Sequence, residues 1–425
     1  MSGQKTSSIG SPGLAAVGAQ FIAPSEIAPS DERHNDKQGL ARLLKVGVAD
    51  VLARGQTINL EKNEELPRLI PVLCTYFTRE ELAELVGKKV AARLLDMHRL
   101  EVLQNLFLEG ELQKVLHAFN EANIAIMLFK GPALAYTVYP QAQLRTYHDI
   151  DALIHPDDLE RAREVLTQMG YAFYEEYRAN VINSKRTGYN FTLKREDSWL
   201  EVLIELHTAP HDSDIGTSFD VAALWDNAQA ISILGEPTLT MSPVDALLYL
   251  CWHYRFHSFS RLLWLYDVVM LVRTHEHDLD WAALVKKARQ QHLATTLYYC
   301  LCWCRDLFGV AIPAKVLSGL RPPLACRVVV ERVAMPDVVR TLVTAQGQAR
   351  RVLAHRAMVD TTPGLLKAAA RTLFPTPAAM GQRYMEHSRL PLQLYFVFYL
   401  IHPWVTLGKG IQYIVSSRQN RTATK

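Results

Sequence analysis

The chain lacks a surplus of either charge: 46 Lys and Arg stand against 43 Asp and Glu, a formal net charge of +3 over 425 residues. A nucleic-acid-binding protein would concentrate basic residues on one face, and so mild a balance speaks against that class. Cysteine is scarce. Its six copies, Cys74, Cys251, Cys300, Cys302, Cys304 and Cys326, lie mostly within apolar helical patterns. That usage suits free thiols in a reducing compartment better than a disulfide framework. The N-terminus has no basic-then-apolar secretory pattern, and no solenoid period repeats along the chain. Low charge does not mean disorder, because 49% of the residues are hydrophobic and 21% charged, as in folded globular proteins. The length allows two or three domains. What remains is a cytoplasmic globular protein of mixed α and β structure.

Long hydrophobic runs are also missing, with one near exception. Leu390 to Val415 is the most apolar region, yet its unbroken centre, Leu394 to Ile401, is shorter than the ~20 residues that span a bilayer. A packed helix is the simpler reading. A peripheral membrane contact, backed by the basic tail Arg418, Arg421 and Lys425, is the other.

Periodicity divides the rest. Residues 1–37 are rich in Ser, Gly, Ala and Pro without a period and are expected to form a disordered tail. Residues 38–99 form an N-terminal helical region, marked by Leu40, Leu43, Leu44, Val48 and Val51. A longer helix is expected from Leu95 to Ala118, with Leu100, Leu103, Leu106, Leu112 and Val115 on its apolar stripe. Residues 100–235 carry strand-like runs at 124–129, 149–154, 171–174, 189–193 and 199–207, with a helix from Leu159 to Met169. From Ser242-Pro243 the pattern is helical again, giving a helical domain over 236–380 and a hydrophobic C-terminal segment with a basic tail over 381–425. The expected fold class is α+β: a small mixed β-sheet core flanked by N-terminal and C-terminal helical regions.

The chemistry gathers in LFKGPALAYTVYPQAQLRTYHDIDAL, residues 128–153. An apolar strand ends at Lys130-Gly131-Pro132, and proline is tolerated in the first turn of the helix that would follow. Gly131 removes a side chain that would block close approach of a ligand to the backbone. At period two, Asp149 and Asp151 share one face of a strand. Two carboxylates in an apolar run are costly unless something cationic sits between them. In Trp199 to His207, the residues Glu201, Leu203, Glu205 and His207 would likewise share a face, with Glu205 the best third acid and Glu201 the fallback. Phosphoryl and nucleotidyl transfer need such acids to hold Mg²⁺ and need positive charge on the phosphates. Asp149, Asp151 and Glu205 are therefore the candidate catalytic metal ligands, and Lys130, Gly131 and Arg145 the candidate nucleotide-binding residues. Taken alone, Asp-x-Asp could equally be a pair of solvated acids on an edge strand. His253 and His257 lack a third ligand for zinc, and packing or surface exposure is preferred for them.

The run from Lys130 to Tyr171 resembles the uncharacterised bacterial nucleotidyltransferase family of the polymerase-β-like superfamily. The matching positions are Lys130, Gly131, Tyr139, Pro140, Arg145, Asp149, Asp151, Gly170 and Tyr171. Glu205-Leu206-His207 resembles that family's acidic-Leu-His element, and Arg261 to Asp267 its Arg-x-x-Trp-x-x-Asp signal. One departure stands out: the wider superfamily has Gly-Ser at the phosphate turn, whereas Pro132 here brings no hydroxyl. The resemblance implies a Mg²⁺- or Mn²⁺-dependent enzyme moving a nucleoside monophosphate from an NTP such as ATP to a hydroxyl or phosphate. The acceptor, whether small molecule, peptide or saccharide, and the oligomeric state are not legible. The alternative is a non-catalytic nucleotide-binding or assembly module in a biosynthetic pathway.

Overall fold

The computed structural model describes residues 30–53, 69–173, 188–194, 201–210, 219–344, 347–376, 380, 397–406 and 408. Four helices come first: α1 (Ser30–Ala53), α2 (Ile70–Tyr76), α3 (Arg79–Val86) and the long α4 (Lys88–Glu121). The α/β part follows as β1 (Ile126–Leu128), α5 (Gly131–Thr137), β2 (Asp149–Ile154), α6 (Leu159–Gln168), β3 (Ala172–Phe173), β4 (Gly188–Lys194), β5 (Glu201–His207), α7 (Val221–Asp226), β6 (Gln229–Ile233) and β7 (Glu236–Thr240). Helices then continue as α8 (Pro243–Phe256), α9 (Leu262–Thr274), α10 (Trp281–Gln290), α11 (Ala294–Phe308), α12 (Ala314–Leu320), α13 (Leu324–Arg327), α14 (Val338–Val343), α15 (Gln348–Ala357) and α16 (Thr362–Leu373). A further helix covers 397–406. The class is α+β, as the sequence pattern predicts.

The strands form one mixed sheet in the order β3-β4-β5-β2-β1-β7-β6. β2 pairs parallel with β5 and antiparallel with β1, and β1 pairs parallel with β7. Alternation then sorts the side chains between two cores. Ile126, Leu128, Ile150, Ala152, Ile154, Val202, Ile204 and Leu206 join Leu112, Val115 and Phe119 of α4 and Leu166 of α6. Met127 and Leu153 point the other way, into the helical body. Asp149 and Asp151 therefore lie on the sheet face that meets the helices.

Three boundaries differ from the sequence reading. The core does not end at Gly235, because β6 and β7 form a hairpin across that glycine and β7 sits inside the sheet beside β1. Leu234 and Gly235 both have positive φ, 54° and 85°, as a two-residue turn with the twist of its strands requires. The tail does not extend to residue 37: α1 starts at Ser30, and Asp36 is fully buried. Residues 1–29 lie outside the described residues. The boundary at residue 99 falls inside α4 (Lys88–Glu121), and Leu40, Leu43 and Leu44 of the helical region before it share one core with α8, α9 and α11. On α4, Leu112 and Val115 are buried as expected, but Leu100, Leu103 and Leu106 face solvent. The C-terminal end of the helix covers the sheet, and its apolar stripe is not used along its whole length.

Two buried ionic clusters join these layers. Arg145, in the connection leading to β2, donates from Nε and Nη2 to Asp267 Oδ1 and Oδ2 of α9 at 2.6 and 2.9 Å, and Tyr139 Oη donates to Oδ1 at 2.8 Å. Arg273 donates to both oxygens of Asp36 at 2.6 and 2.8 Å, while the Tyr76 and Tyr266 hydroxyls reach Asp36 Oδ2 at 2.8 and 2.9 Å. Fork-to-fork pairing satisfies most donors and acceptors at once, which is what makes a buried ion pair tolerable.

Removing one partner strands the other charge. Asp267→Ala is expected to cost about 3–5 kcal/mol in urea unfolding. Arg145→Met in the Asp267→Ala background should recover part of that loss. A single-variant cost below about 1 kcal/mol would be incompatible with a buried pair.

Candidate active site

The site begins where β1 turns into α5. Lys130 stands at that turn with φ 59° and ψ −131°, a conformation that L-residues other than glycine adopt only under strain. Its side chain runs back over the sheet. Nζ reaches Asp151 Oδ1 at 2.7 Å and sits 5.1 Å from the centre of the Phe129 ring and 6.0 Å from that of Tyr249.

The parallel register of β2 and β5 places Asp151 opposite Glu205 and Leu153 opposite His207. Strand parity puts all three polar side chains on one face. His207 Nε2 lies 3.2 Å from Asp151 Oδ1 and 3.6 Å from Glu205 Oε2. Asp151, Glu205 and His207 each offer a ligand atom within 4.8 Å of the others, so the three can converge on one cation. Two carboxylates and an imidazole suit Mn²⁺ well and Mg²⁺ through its oxygen ligands. Burial by itself would raise the Asp151 carboxyl. The Lys130 charge and the His207 hydrogen bond outweigh it and hold the group well below the usual carboxylate range. Burial pulls His207 down, while hydrogen bonds to Asp151 and Glu205 more than restore it, leaving the imidazole raised. Asp149, half-buried and two residues before Asp151, lies opposite Leu203 on the same face.

The helical body supplies the facing wall. Tyr249 of α8 packs edge-on against Phe129 at 5.3 Å, and Phe129 in turn meets His207 at 5.4 Å. His253 stacks on Tyr249 at 5.9 Å and touches Trp264 at 4.4 Å, and His257 lies 4.9 Å from Trp264. Burial drives the His253 ring strongly toward its neutral form, and the nearby Lys130 and His257 act in the same direction. Sequence reasoning assigned His253 and His257 to packing or surface exposure. His253 packs beside the site, and His257 is exposed with its ring against Trp264. The missed signal is Tyr249, His253 and His257 at i, i+4 and i+8, one face of a single helix.

Of the six residues predicted for the site, the fold brings Lys130, Asp149, Asp151 and Glu205 to one face. It does not bring Arg145, which is 5% exposed and holds Asp267 and the Thr146 carbonyl. A guanidinium so committed is not available for phosphates, although Asp149 lies within its electrostatic reach. Gly131 is at the turn as predicted, but for a different reason. A Cβ there would fall 2.6 Å from the Tyr147 Cβ, so close packing of α5 on the chain before β2 demands glycine. Asp267, the last residue of the Arg-x-x-Trp-x-x-Asp signal, is the partner that holds Arg145 there. Gly131→Ala is expected to destabilise the protein by about 1–3 kcal/mol in a denaturant titration. Wild-type stability of that variant would mean that α5 does not rest on Tyr147.

The family model described as an uncharacterised nucleotidyltransferase matches residues 66–309, more than half of the chain, from the helices before α4 through the sheet to α11. No curated protein matches the sequence. Among solved structures, the chain is similar to an antigenic nucleotidyltransferase-like protein from Paracoccidioides brasiliensis, at 14% identity and a TM-score of 0.27, over 45% of this chain and 91% of the other. With its Lys-Gly turn, its strand acids and its Arg-x-x-Trp-x-x-Asp helix all inside the matched span, the chain belongs to the uncharacterised nucleotidyltransferase family.

Proposed function

We propose that this chain is a divalent-cation-dependent nucleotidyltransferase that moves a nucleoside monophosphate from an NTP to a hydroxyl or phosphate on an acceptor. The observation that carries this reading is the convergence of Asp151, Glu205 and His207 from two paired parallel strands. Asp151 and Glu205 would hold Mg²⁺ or Mn²⁺, with Asp149 one strand step away on the same face. Such a cation, when bound, supplies charge neutralisation on the phosphates and orients the attacking oxygen. His207 fixes the carboxylates of Asp151 and Glu205 relative to each other, as partners of metal ligands commonly do. Lys130 supplies positive charge beside Asp151, the role that Arg145 cannot fill. Phe129, Tyr249 and the buried His253 wall the site on the helical side, which lowers the local dielectric and strengthens every charge contact within it.

A second reading keeps nucleotide binding without turnover. It is favoured by Pro132, which brings no hydroxyl to the turn, and by Asp151 Oδ1 being shared already by Lys130 and His207.

Transfer of label from α-labelled NTPs to a cell extract or to the protein itself separates the two. The wild type with Mg²⁺ or Mn²⁺ is expected to transfer label, and EDTA to abolish it. Asp151→Asn and Glu205→Gln should each lose at least about 100-fold. Wild-type transfer no better than that of Asp149→Ala/Asp151→Ala would remove the enzymatic reading, and nucleotide binding by calorimetry without transfer would establish the second.

A further inference from the structure

The C-terminal helices carry a surface that neither the sheet nor the acid cluster explains. No residue of α16 is buried. Leu366 (67% exposed) lies on it and Phe374 caps its C-terminal end, with the exposed Lys367 and Arg371 forming an adjoining row at spacing four. Helix 397–406 is fastened to α16 by the buried His402, whose ring Nε2 lies 3.1 Å from the Thr372 carbonyl oxygen. It presents Leu400 (65%), Ile401, Trp404 (75%) and Val405 to solvent, two more rows at i, i+4. This helix has no charged residue at all. Exposed single leucines are ordinary. A tryptophan and five other large apolar side chains on two linked helices are a patch with a use.

Charge selects the occupant. Residues 361–425 contain eight Lys or Arg and a single acid, Glu386. That is +7 in a chain whose total is +3, so the other 360 residues together carry −4. A second copy of the chain would set the same row of Lys367 and Arg371 against this surface and be repelled. A neutral apolar partner would leave the basic row unused. An anionic bilayer satisfies both, taking apolar and aromatic side chains at the headgroup boundary while Lys and Arg meet acidic headgroups. No helix among the described residues is long and apolar enough to cross a membrane, so the contact lies on the surface.

We propose that α16 and helix 397–406 form a peripheral docking surface for anionic lipid, which holds the protein at a membrane. The inference stands apart from nucleotidyl transfer, and its test reads no activity.

The 425-residue chain is sedimented with phosphatidylcholine vesicles with and without phosphatidylglycerol. Binding is expected to be at least about tenfold tighter to the anionic vesicles and to fall with salt. Leu400→Ser/Trp404→Ser should lose it while keeping the wild-type thermal midpoint, because both side chains are exposed. Lys367→Glu/Arg371→Glu should weaken binding to anionic vesicles at least about tenfold and flatten its salt dependence. Wild type that ignores anionic vesicles overturns the proposal, as does a Leu400→Ser/Trp404→Ser variant that binds them equally well. A wild-type dimer that this variant dissolves, with no vesicle binding by either, would assign the surface to a second copy instead.

Discussion

The rest of the structure depends on one buried charge pair, Arg145 with Asp267, completed by the Tyr139 hydroxyl. The two ionic residues are separated by 122 positions in the chain, yet they fix the segment entering β2 against the middle of α9. That contact sets how the acid-bearing sheet face meets α8 and α9, and so how Tyr249 and His253 stand over Lys130. A hydrophobic replacement of similar volume would cost little or even stabilise, because burying ions is expensive. What an ion pair adds is register: a bidentate fork accepts one orientation where packed leucines accept several. The Asp36–Arg273 cluster does the same one turn and a half further along α9. Both clusters sit on one helix, with Tyr266 and Asp267 adjacent in sequence. α9 is thus the frame to which the first helix, the turn before β2 and the sheet are all referred.

This explains which parts of the molecule were legible in the sequence. Period-two alternation found β2 and β5 and the shared face of Asp149, Asp151, Glu205 and His207, because β5 alternates between buried and half-buried positions and the acids of β2 interrupt an otherwise buried strand at that same period. The Ser242-Pro243 start of α8 was legible for a local reason: Ser242 Oγ accepts the Asp245 backbone N–H. Local signals failed where the deciding contact is distant. Arg145 beside a phosphate turn and Asp267 in a helix each look like chemistry or surface until the fold joins them. Gly131 looks like room for a ligand, whereas the space is filled by Tyr147. The β6–β7 hairpin was missed because Gly235, Glu236 and Pro237 read as a boundary. Here they are the turn and first residues of a strand whose partners are β6, just before it, and β1, more than a hundred residues earlier. Leu100, Leu103 and Leu106 continue the helical apolar period past the point where α4 has anything to cover.

Lys130 is where the local and the distant meet. Its backbone conformation would be far easier for glycine, and strain of that kind costs on the order of 1–3 kcal/mol. The side chain offsets it, since an ammonium buried between Phe129 and Tyr249 and bonded to Asp151 balances a carboxylate that burial would otherwise penalise. The two residues therefore stabilise each other across the sheet, and neither is comfortable alone. Under the proposed function, a cation held by Asp151 and Glu205 would have to share Asp151 with this ammonium. The affinity of such a site would then be a difference between two occupants of one carboxylate, not the sum of its ligands. Glu205 would decide that competition: its side chain is 26% exposed against 4% for Asp151, so it keeps access to solvent while Asp151 is held by Lys130. The strained turn and the acid pair are in this sense one device. The turn holds the charge that keeps Asp151 ionised and in place, and the second strand supplies the more accessible acid beside it.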